Sequence, residues 1–469
     1  MAQVVLIYPK PNRITFDTTH TINLGLAYMA ACLEQRGHSV DVHDCNIEDE
    51  AYLPGKLCDA ELVCFYVITA ALKASFALAE QIKTRMDSDC RIIFGGPHPT
   101  ARPEECLDSP YVDFAAAGEG EILICDLVEN LHNPAARDRL PGLIYRGADG
   151  MIVNNGKAAV PEELDALPFP AYHLFRHDRM QPTRPTWIDA RRTKCGSMMS
   201  SRGCPYKCVF CTSAAGRPFN KKFRAMSPER VVEEIEWLAR DYGVNFVEFQ
   251  DDVFNLIPQR AEDICRLLIE RNLQVRWSIP NGISRVENIT EDFLRLCQEA
   301  GCIDAWFAAE SGSERIRNEI INKRNTIEQV RAAIEASHRV GLQTGAFFIL
   351  GSPDETLEEM QQTIDFACSL PLDRAQFTVA TPFPGSALWD WIDREGRWLV
   401  KDYDQFGPYE NVVYFELGRL KAENVLRMYK KAFRRFYLRP SHLIRKVAFR
   451  RETYTNLPLL VRQAVQFMT

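Results

Sequence analysis

The first third of the chain alternates short apolar runs with amphipathic stretches in which apolar residues recur at helical spacing. Gly37 follows the first amphipathic stretch, in the usual place of a helix-ending glycine. Alternating strands and helices predict an α/β domain, a doubly wound parallel sheet, over residues 1–145. Strands are predicted at 4–8, 39–43, 62–67, 91–94 and 112–116, and helices at 24–35, 72–85 and 121–131.

A hairpin and a linker follow this domain, and then a second repeating pattern begins. Residues 141–155 predict the hairpin, with its turn at 147–150, and residues 146–190 form the linker. From Gly196 onward, strand and helix alternate about six times, with helix caps predicted at Ser227, Thr290 and Thr326. This pattern predicts an open, partial (β/α)6 barrel over residues 191–395, with its chemistry at the carboxyl ends of the strands. Residues 396–469 are predicted to form a helical C-terminal domain.

Composition narrows the class of protein. With 46% hydrophobic and 25% charged residues, the chain is typical of globular proteins. A net charge of −7 argues against a nucleic-acid partner. No apolar run is long enough to cross a bilayer, and the first residues predict a strand rather than a signal peptide, so we expect a cytoplasmic protein. The fifteen cysteines show no disulfide pattern, and most are expected to pack as small apolar side chains.

Three cysteines stand close together in the sequence Ser200-Ser-Arg-Gly-Cys204-Pro-Tyr-Lys-Cys208-Val-Phe-Cys211. Three thiolates leave one coordination position open. For zinc that would be a catalytic site, and for a [4Fe–4S] cluster it leaves one iron free to be chelated by a small molecule. A closed zinc knuckle needs a fourth ligand, and no Cys or His follows within twenty residues of Cys211, while Cys195 lies upstream at an unusual spacing.

The Cys-x3-Cys-x2-Cys pattern, with the aromatic Phe210 before its last cysteine, resembles the radical S-adenosylmethionine (SAM) superfamily. The resemblance extends to about residue 395. It implies a [4Fe–4S] cluster on Cys204, Cys208 and Cys211, whose open iron binds the amino and carboxylate groups of SAM. It also implies that one electron, from a donor such as flavodoxin or ferredoxin, splits SAM into methionine and a 5′-deoxyadenosyl radical.

Motifs after later barrel strands match this family in order. Asp251 and Asp252 stand at the place where members of the family contact the amino group of SAM, although aspartate is also favourable at a helix N-terminus. The pair 310–311 stands where the ribose and methionine portions are fixed, and residues 349–351 stand beside the adenine. The resemblance therefore assigns SAM contacts to Phe210, Asp251, Asp252, Glu310, Ser311, Ile349 and Gly351.

Two loops of the N-terminal domain are rich in glycine at the strand ends where such sheets bind ligands. Glycine lets the backbone approach a flat or anionic ligand, although a simple turn accounts for the same residues. Upstream of the cysteine motif, these loops resemble the Rossmann-like cobalamin-binding domain of the cobalamin-dependent radical SAM enzymes. The resemblance assigns cobalamin contacts to Thr69, Gly95, Gly96, His98, Thr100, Gly118 and Glu119.

We expect cobalamin to bind without a histidine below the cobalt. The sequence around His43 matches the Asp-x-His motif of the cobalamin mutases and methionine synthase, but in those proteins the motif follows the first strand, and here it lies on the second. The loop after the first strand has no histidine, and His20 is the only nearby candidate. His98 is expected to be a polar contact rather than a cobalt ligand.

The resemblance implies a biosynthetic enzyme in which the radical removes hydrogen from an unactivated carbon, which then takes a methyl group from methylcobalamin. A second SAM would remethylate the cobalt once it is reduced. Three alternatives stay open. The first is ring formation or oxygen insertion, as in the anaerobic magnesium-protoporphyrin cyclases. The second is tRNA methylthiolation, which is disfavoured because the first strand lacks the expected cysteine and the C-terminal region is predicted to be helical. The third is a cobalamin sensor without catalysis, which the intact cysteine motif disfavours.

The C-terminal region is strongly basic. Residues 419–451 contain twelve Lys or Arg and one acid, Glu423, with apolar residues at helical spacing. A basic amphipathic helix can lie on a membrane surface, which would suit a lipid-like substrate. The alternative is a helix that packs on the barrel and leaves its basic face in solvent. The expected partners are thus a small-molecule or lipid-like substrate and an electron donor, with peripheral membrane contact as an open question.

Overall fold

The computed structural model describes residues 2–13, 21–49, 52–85, 90–179, 192–219, 222–280, 286–407, 412–440 and 442. Its N-terminal domain is built on a seven-stranded sheet. The strands are β1 (Gln3–Tyr8), β2 (Ser39–Asp44), β3 (Leu62–Tyr66), β4 (Arg91–Gly95), β5 (Phe114–Ala116), β6 (Leu143–Arg146) and β7 (Ile152–Asn154).

The strand order β2-β1-β3-β4-β5-β6-β7 confirms the predicted doubly wound sheet. The first five strands are parallel, so their carboxyl ends lie along one edge. The predicted hairpin is also present. Its strands β6 and β7 run antiparallel and extend this sheet as far as Asn154.

Helices cover both faces of this sheet. Val4 and Leu6 of β1 belong to the core under α1 and α5, and the alternating Val5 and Ile7 belong to the core under α2 and α3. Successive side chains of this fully apolar strand therefore pack against two different layers of helices. The helices of this domain are α1 (Leu24–Gln35), α2 (Leu53–Leu57), α3 (Leu72–Arg85), α4 (Pro97–Ala101), α5 (Glu121–Glu129) and α6 (Pro134–Arg137).

The second domain is an open barrel of six parallel strands. Strands β8, β11 and β12 form one ladder, and β13, β14 and β15 form another. A parallel bridge between Trp277 and Cys302 joins the two ladders, so the six strands follow one another in chain order. The strands from here on are β8 (Cys195–Met198), β9 (Ser201–Arg202), β10 (Arg224–Ala225), β11 (Phe246–Phe249), β12 (Arg276–Ser278), β13 (Asp304–Glu310), β14 (Gln343–Leu350) and β15 (Arg374–Val379).

The predicted caps hold the outer helices of the barrel. Ser227 and Thr290 each accept a backbone N–H of the first turn, and Thr326 forms a reciprocal capping box with Gln329. Gly243 and Gly341 end their helices in the left-handed conformation. The helices are α7 (Pro228–Tyr242), α8 (Pro258–Glu270), α9 (Glu291–Glu299), α10 (Ile327–Val340), α11 (Leu357–Ser369) and α12 (Ala387–Glu395).

The C-terminal region contributes a further helix to the outer layer of the barrel. The short pair β16 (Arg397–Trp398) and β17 (Phe415–Glu416) precedes α13 (Ala422–Tyr437). The ring of Phe433 lies 5.3 Å from that of Phe377 on β15, and Tyr437 donates a 2.9 Å hydrogen bond to the carbonyl of Ala375. The apolar face of α13 is therefore covered by protein. Within the described ranges, no helix is long and apolar enough to span a bilayer.

Candidate functional site

The three motif cysteines lie on an irregular loop after β9, here called the cysteine loop, residues 203–211. Cys208 is buried, and Cys204 and Cys211 are half-buried. Burial raises the pKa of Cys204 to about 11 and that of Cys211 to about 12. Cys208 and Cys204 add to the second shift by charge repulsion, so the thiols lie within electrostatic reach of one another.

This donor set fits a [4Fe–4S] cluster, which takes each thiolate on a different iron and leaves the fourth iron open. Cluster assembly would displace the three protons and thereby offset the raised pKa values. Among the described residues, no three Cys, His, Asp or Glu side chains converge closely enough to hold a single metal ion. Phe210, beside Cys211, packs against the main core.

Asp251 and Asp252, at the end of β11, have different surroundings. Asp251 is buried, and its carboxylate accepts 2.7 Å hydrogen bonds from the backbone N–H and hydroxyl of Ser200, with another from the hydroxyl of Ser201. It thus braces the start of the cysteine loop. Asp252 instead lines the cavity described below, and burial raises its pKa to about 6. The negative charge of Asp251 adds to that shift.

Glu310, at the end of β13, forms a buried ion pair with Lys323. The ammonium Nζ lies 2.9 Å from Oε1, and both side chains are less than one-tenth exposed. Burial lowers the pKa of Lys323, but the charges of Glu310 and Cys208 outweigh burial and raise the pKa overall. Glu310 also has a φ of 59°, a conformation that non-glycine residues adopt at a cost. The pair therefore stands in a strained, charged position next to the cysteine loop.

The loop that carries Lys323 is fastened to the cysteine loop. The carbonyl of Ile321 accepts a 3.0 Å hydrogen bond from the N–H of Val209. The side chain of Asn322 donates a 3.2 Å hydrogen bond to the carbonyl of Lys207. Sequence analysis missed Lys323, and its only local signal is the turn-forming run of residues 322–325, in which Asn322 and Arg324 are left-handed.

The end of β14 carries the predicted adenine neighbours. Gly351 has a φ of +80°, and Glu355 accepts hydrogen bonds from the N–H groups of Gly351 at 2.7 Å and Ser352 at 2.9 Å. Burial raises the pKa of Glu355 to about 8. A Cβ at Gly351 would lie 2.9 Å from Val425 of α13, so the C-terminal helix closes over this loop. Nearby, the hydroxyl of the buried Ser311 lies 3.0 Å from that of Thr363.

A cavity of about 320 Å³ lies between the two domains. Its N-terminal side is a glycine floor at the carboxyl ends of the strands, and its apolar wall includes Leu24, Met29 and Tyr66. Its opposite side is formed by barrel residues at the base of the cysteine loop, among them Arg202, Gly203 and Asp252. The glycine floor consists of Gly25, Gly95, Gly96, Gly118 and Gly120.

Two positions of the glycine floor have little room for a side chain. A Cβ on Gly120 would stand 2.4 Å from the sulfur of Met29, and one on Gly96 would stand 3.2 Å from the ring of Tyr66. Bare backbone flanked by apolar side chains makes a flat surface, which fits the face of a corrin ring. The chemistry of this cradle therefore suits cobalamin, and the cradle faces the base of the cysteine loop.

Thr69, His98 and Thr100 are buried but are not among the residues that line the cavity. Thr100 donates a 2.8 Å hydrogen bond to the carbonyl of Gly96 and accepts one of 3.1 Å from the N–H of Gly118. It thus ties the two glycine loops together. The ring of His98 lies 3.4 Å from the hydroxyl of Thr69 and 3.5 Å from the carboxylate of Glu105.

No histidine is found among the residues that line the cavity in the described parts of the chain. His43 is buried on β2, with Nδ1 at 4.0 Å from the carboxylate of Glu48, and His20 lies outside the described residues. The structure does bring Gly95, Gly96, Gly118, Glu119 and Asp252 to one cavity, although they come from both domains. It also brings in Arg202 and Arg224, which sequence analysis missed.

Comparisons with known proteins identify the families of the two domains. The Radical SAM superfamily model matches residues 198–367, and the B12 binding domain model matches residues 15–128. An uncharacterized methyltransferase of Pyrococcus horikoshii is 33% identical over 429 residues, which cover 90% of this chain and 89% of the relative. Two more distant relatives follow, each 27% identical. One is the cytidylyl-2-hydroxyethylphosphonate methyltransferase of Streptomyces wedmorensis, and the match covers 84% of this chain and 82% of the relative. The other is the anaerobic magnesium-protoporphyrin IX monomethyl ester cyclase of Rubrivivax gelatinosus, and the match covers 87% of this chain and 73% of the relative.

Among solved structures, the fold is similar to that of the radical SAM methyltransferase TsrM from Kitasatospora setae, described with cobalamin and a [4Fe–4S] cluster bound. The TM-score is 0.70 at 18% identity, and the match covers 94% of this chain and 90% of that one. The cofactors of the present chain are a [4Fe–4S] cluster, SAM and cobalamin, which follow from its Radical SAM and B12 binding domains. The chain belongs to the radical SAM superfamily, in the group whose members carry an N-terminal B12-binding domain.

Proposed function

We propose that this protein methylates an unactivated carbon of a small-molecule biosynthetic intermediate. The observation that carries the proposal is the single cavity that the glycine floor shares with Asp252 and the base of the cysteine loop. When bound, the cluster supplies an electron to SAM, and cobalamin carries the methyl group. Relatives named as methyltransferases, at 33% and 27% identity, support this choice.

The proposed contacts to SAM divide between ligands and supports. Cys204, Cys208 and Cys211 hold the cluster, and Asp252 faces the amino group of SAM from the cavity wall. Asp251 keeps the cysteine loop in place through Ser200, since its carboxylate is already hydrogen-bonded there. The remaining proposed contacts are Phe210 near the cluster, Glu310 and Ser311 toward ribose and methionine, and Ile349 and Gly351 toward adenine.

The proposed cobalamin site is the glycine floor. Gly95, Gly96 and Gly118 offer bare backbone to the corrin, and Thr100 fixes the spacing between their two loops. Thr69 and His98 support these loops from behind. Glu119 is assigned to the wall of the cavity, where two arginines hold its carboxylate. The described residues that line this cavity include no histidine that would serve as a cobalt ligand.

Product mass tests the reaction. The reconstituted enzyme, with titanium(III) citrate as reductant and SAM labelled in its methyl group, should release 5′-deoxyadenosine and give a product that is heavier by one labelled methylene. The second candidate is ring formation, which the 27% identical cyclase relative favours. It predicts a product that loses hydrogen and takes up no label. Label in the product excludes cyclisation, and an unlabelled, dehydrogenated product excludes methylation.

We further propose that a flavodoxin or ferredoxin supplies the electron. We also propose that the basic outer face of α13 contacts anionic membranes by charge alone. Its apolar face packs on the barrel, so the proposed contact rests on charge rather than on insertion. Each basic residue near an anionic surface adds about 1 kcal/mol. A surface groove is lined by Arg427, Lys430, Lys431, Arg434 and Arg435. Pelleting with anionic vesicles should fall with salt and with K430E/K431E. Equal pelleting of the wild type and the K430E/K431E variant would exclude membrane contact through this face of α13.

A further inference from the structure

We propose that Arg202 is a positioning residue that fixes the glycine floor against the cysteine loop and thereby sets the separation of the two cofactors. Arg202 lies two residues before Cys204, and its partners Glu119 and Glu121 flank Gly120 of the glycine floor. The inference rests on the proposed function, because it concerns the cavity in which both cofactors would act.

The guanidinium of Arg202 reaches two carboxylates of the other domain at once. Nη1 donates to Oε2 of Glu119 at 2.7 Å, and Nη2 lies 2.8 Å from Oε1 of Glu121. The side chains of Arg202 and Glu121 are 12% and 5% exposed, so solvent screens this pair only weakly. A planar fork that binds two separate carboxylates defines direction as well as distance, which a single ammonium cannot do.

A second arginine completes the bridge. Arg224 pairs directly with Arg202 across the two short strands β9 and β10. Its guanidinium donates to the same Glu119 and to the carbonyl of Pro161. Glu119 is thereby held by side chains from both strands of one antiparallel pair. One of these strands, β9, leads directly into the cysteine loop, so the bridge connects that loop to the glycine floor.

The surroundings of Arg202 place this bridge in the cavity rather than at a remote part of the interface. Its guanidinium lies 5.4 Å from the ring centroid of Tyr28 on α1, and Tyr28 donates to Glu234 of α7 at 3.3 Å. Tyr28, Glu119 and Arg202 all line the cavity. Since a displacement of about 1 Å is enough to impair a reaction between positioned groups, the spacing that Arg202 enforces has consequences for function.

The test compares the reconstituted full-length protein with Arg202→Lys, the double variant R202Q/E121Q and the control Arg266→Gln. The double variant serves if Arg202→Lys folds poorly. It removes both charges of the Arg202–Glu121 pair, and Glu119 keeps Arg224 as its partner, so no buried charge is left unpaired. Arg266 forms ion pairs on the surface of α8, away from the interface. The measurements are iron and cobalt content, hydroxocobalamin affinity, and the magnetic coupling between the reduced cluster and cob(II)alamin by electron paramagnetic resonance.

We expect both Arg202 variants to keep the iron content of the wild type, to bind hydroxocobalamin about tenfold more weakly, and to show a weaker or broader magnetic coupling. The control should match the wild type. If the Arg202 variants keep wild-type affinity and coupling, the positioning role is overturned while the proposed function stands. If the wild type itself takes up iron but no cobalt, the proposed function fails, and the inference fails with it.

Discussion

The ammonium of Lys323 lies 2.9 Å from the carboxylate of Glu310, and both groups are buried beside the cysteine loop. Neither residue is close to Cys208 in sequence, yet Cys208 contributes to the electrostatics of Lys323. A buried cation that interacts electrostatically with a cluster ligand favours the more negative, reduced state of the cluster. The ion pair thus connects Glu310, a candidate SAM contact, with the reduction potential of the cluster that supplies the electron.

Lys323→Met removes that cation without a large change of volume. We expect the reduction potential of the cluster to fall, because the reduced state loses a favourable charge interaction. We also expect the free energy of unfolding to fall by about 3–5 kcal/mol, because Glu310 is left buried without its partner. Redox titration followed by electron paramagnetic resonance and chemical denaturation measure the two effects.

Lys401→Met is the matched control, since Lys401 forms an ion pair with Asp393 in which both side chains are more than one-third exposed. Such a surface pair contributes about 0–1 kcal/mol. An unchanged cluster potential in the Lys323 variant would show that this lysine does not act on the cluster.

Replacement of Cys204, Cys208 or Cys211 by alanine should remove the cluster and abolish cleavage of SAM. Iron content should fall from about four per chain to near zero, because two thiolates hold such a cluster poorly. Cys58→Ala is the control, since this cysteine is exposed and lies in the N-terminal domain. Full iron loading in any of the three variants would contradict the assignment of that cysteine as a ligand.

Gly120→Ala tests the glycine floor. The added Cβ would stand 2.4 Å from the sulfur of Met29, and the flexible end of Met29 must then move into the cavity. We expect hydroxocobalamin binding to weaken by about 1–3 kcal/mol, with little change in stability, since this glycine has an ordinary φ of −95°. Gly55→Ala, where an added Cβ meets nothing within 4 Å, should bind like the wild type. Equal affinities for the two variants would contradict the cradle.

The raised pKa of the buried Glu355 should make the stability of the protein depend on pH. Burial raises its pKa to about 8 in the folded protein, against about 4.3 for a solvated glutamate. Its contribution to stability is therefore fully present below about pH 4.3 and is lost as the pH rises through about 8. Glu355→Gln is neutral throughout and keeps an oxygen for the N–H groups of Gly351 and Ser352.

We expect the melting temperature of the wild type to fall relative to that of Glu355→Gln between about pH 4.3 and 8. Melting curves of both proteins across this range measure the difference, and common effects of pH cancel in it. A constant difference would mean that Glu355 is ionised in the folded protein at all of these pH values.

Much of the fold could be predicted from local patterns. Helices α1 and α3 have the predicted bounds, and the caps at Ser227 and Thr326 form as expected. These features depend on residues within one turn of each other. The doubly wound parallel architecture could also be predicted, because alternating strands and helices leave few topologies open.

The supports of the site could not be predicted in the same way. Arg202 meets Glu119 across 83 residues, and Arg224 meets it across 105. Lys323 meets Glu310 across a strained turn that carries no distinctive motif. Motif resemblance pointed to Asp251 and Asp252 equally, and only packing distinguishes the carboxylate bound to Ser200 from the one at the cavity. Partners of charged side chains depend on tertiary packing, which periodicity does not encode.

The central claim is that one cavity brings a cluster and cobalamin together. The most direct test is anaerobic reconstitution of the full chain with iron, sulfide and hydroxocobalamin, followed by desalting and measurement of iron and cobalt. We predict about four irons and one cobalt per chain, with absorption bands of both cofactors. A wild-type protein that takes up four irons but no cobalt, and whose cobalt content equals that of Gly120→Ala, would contradict the claim.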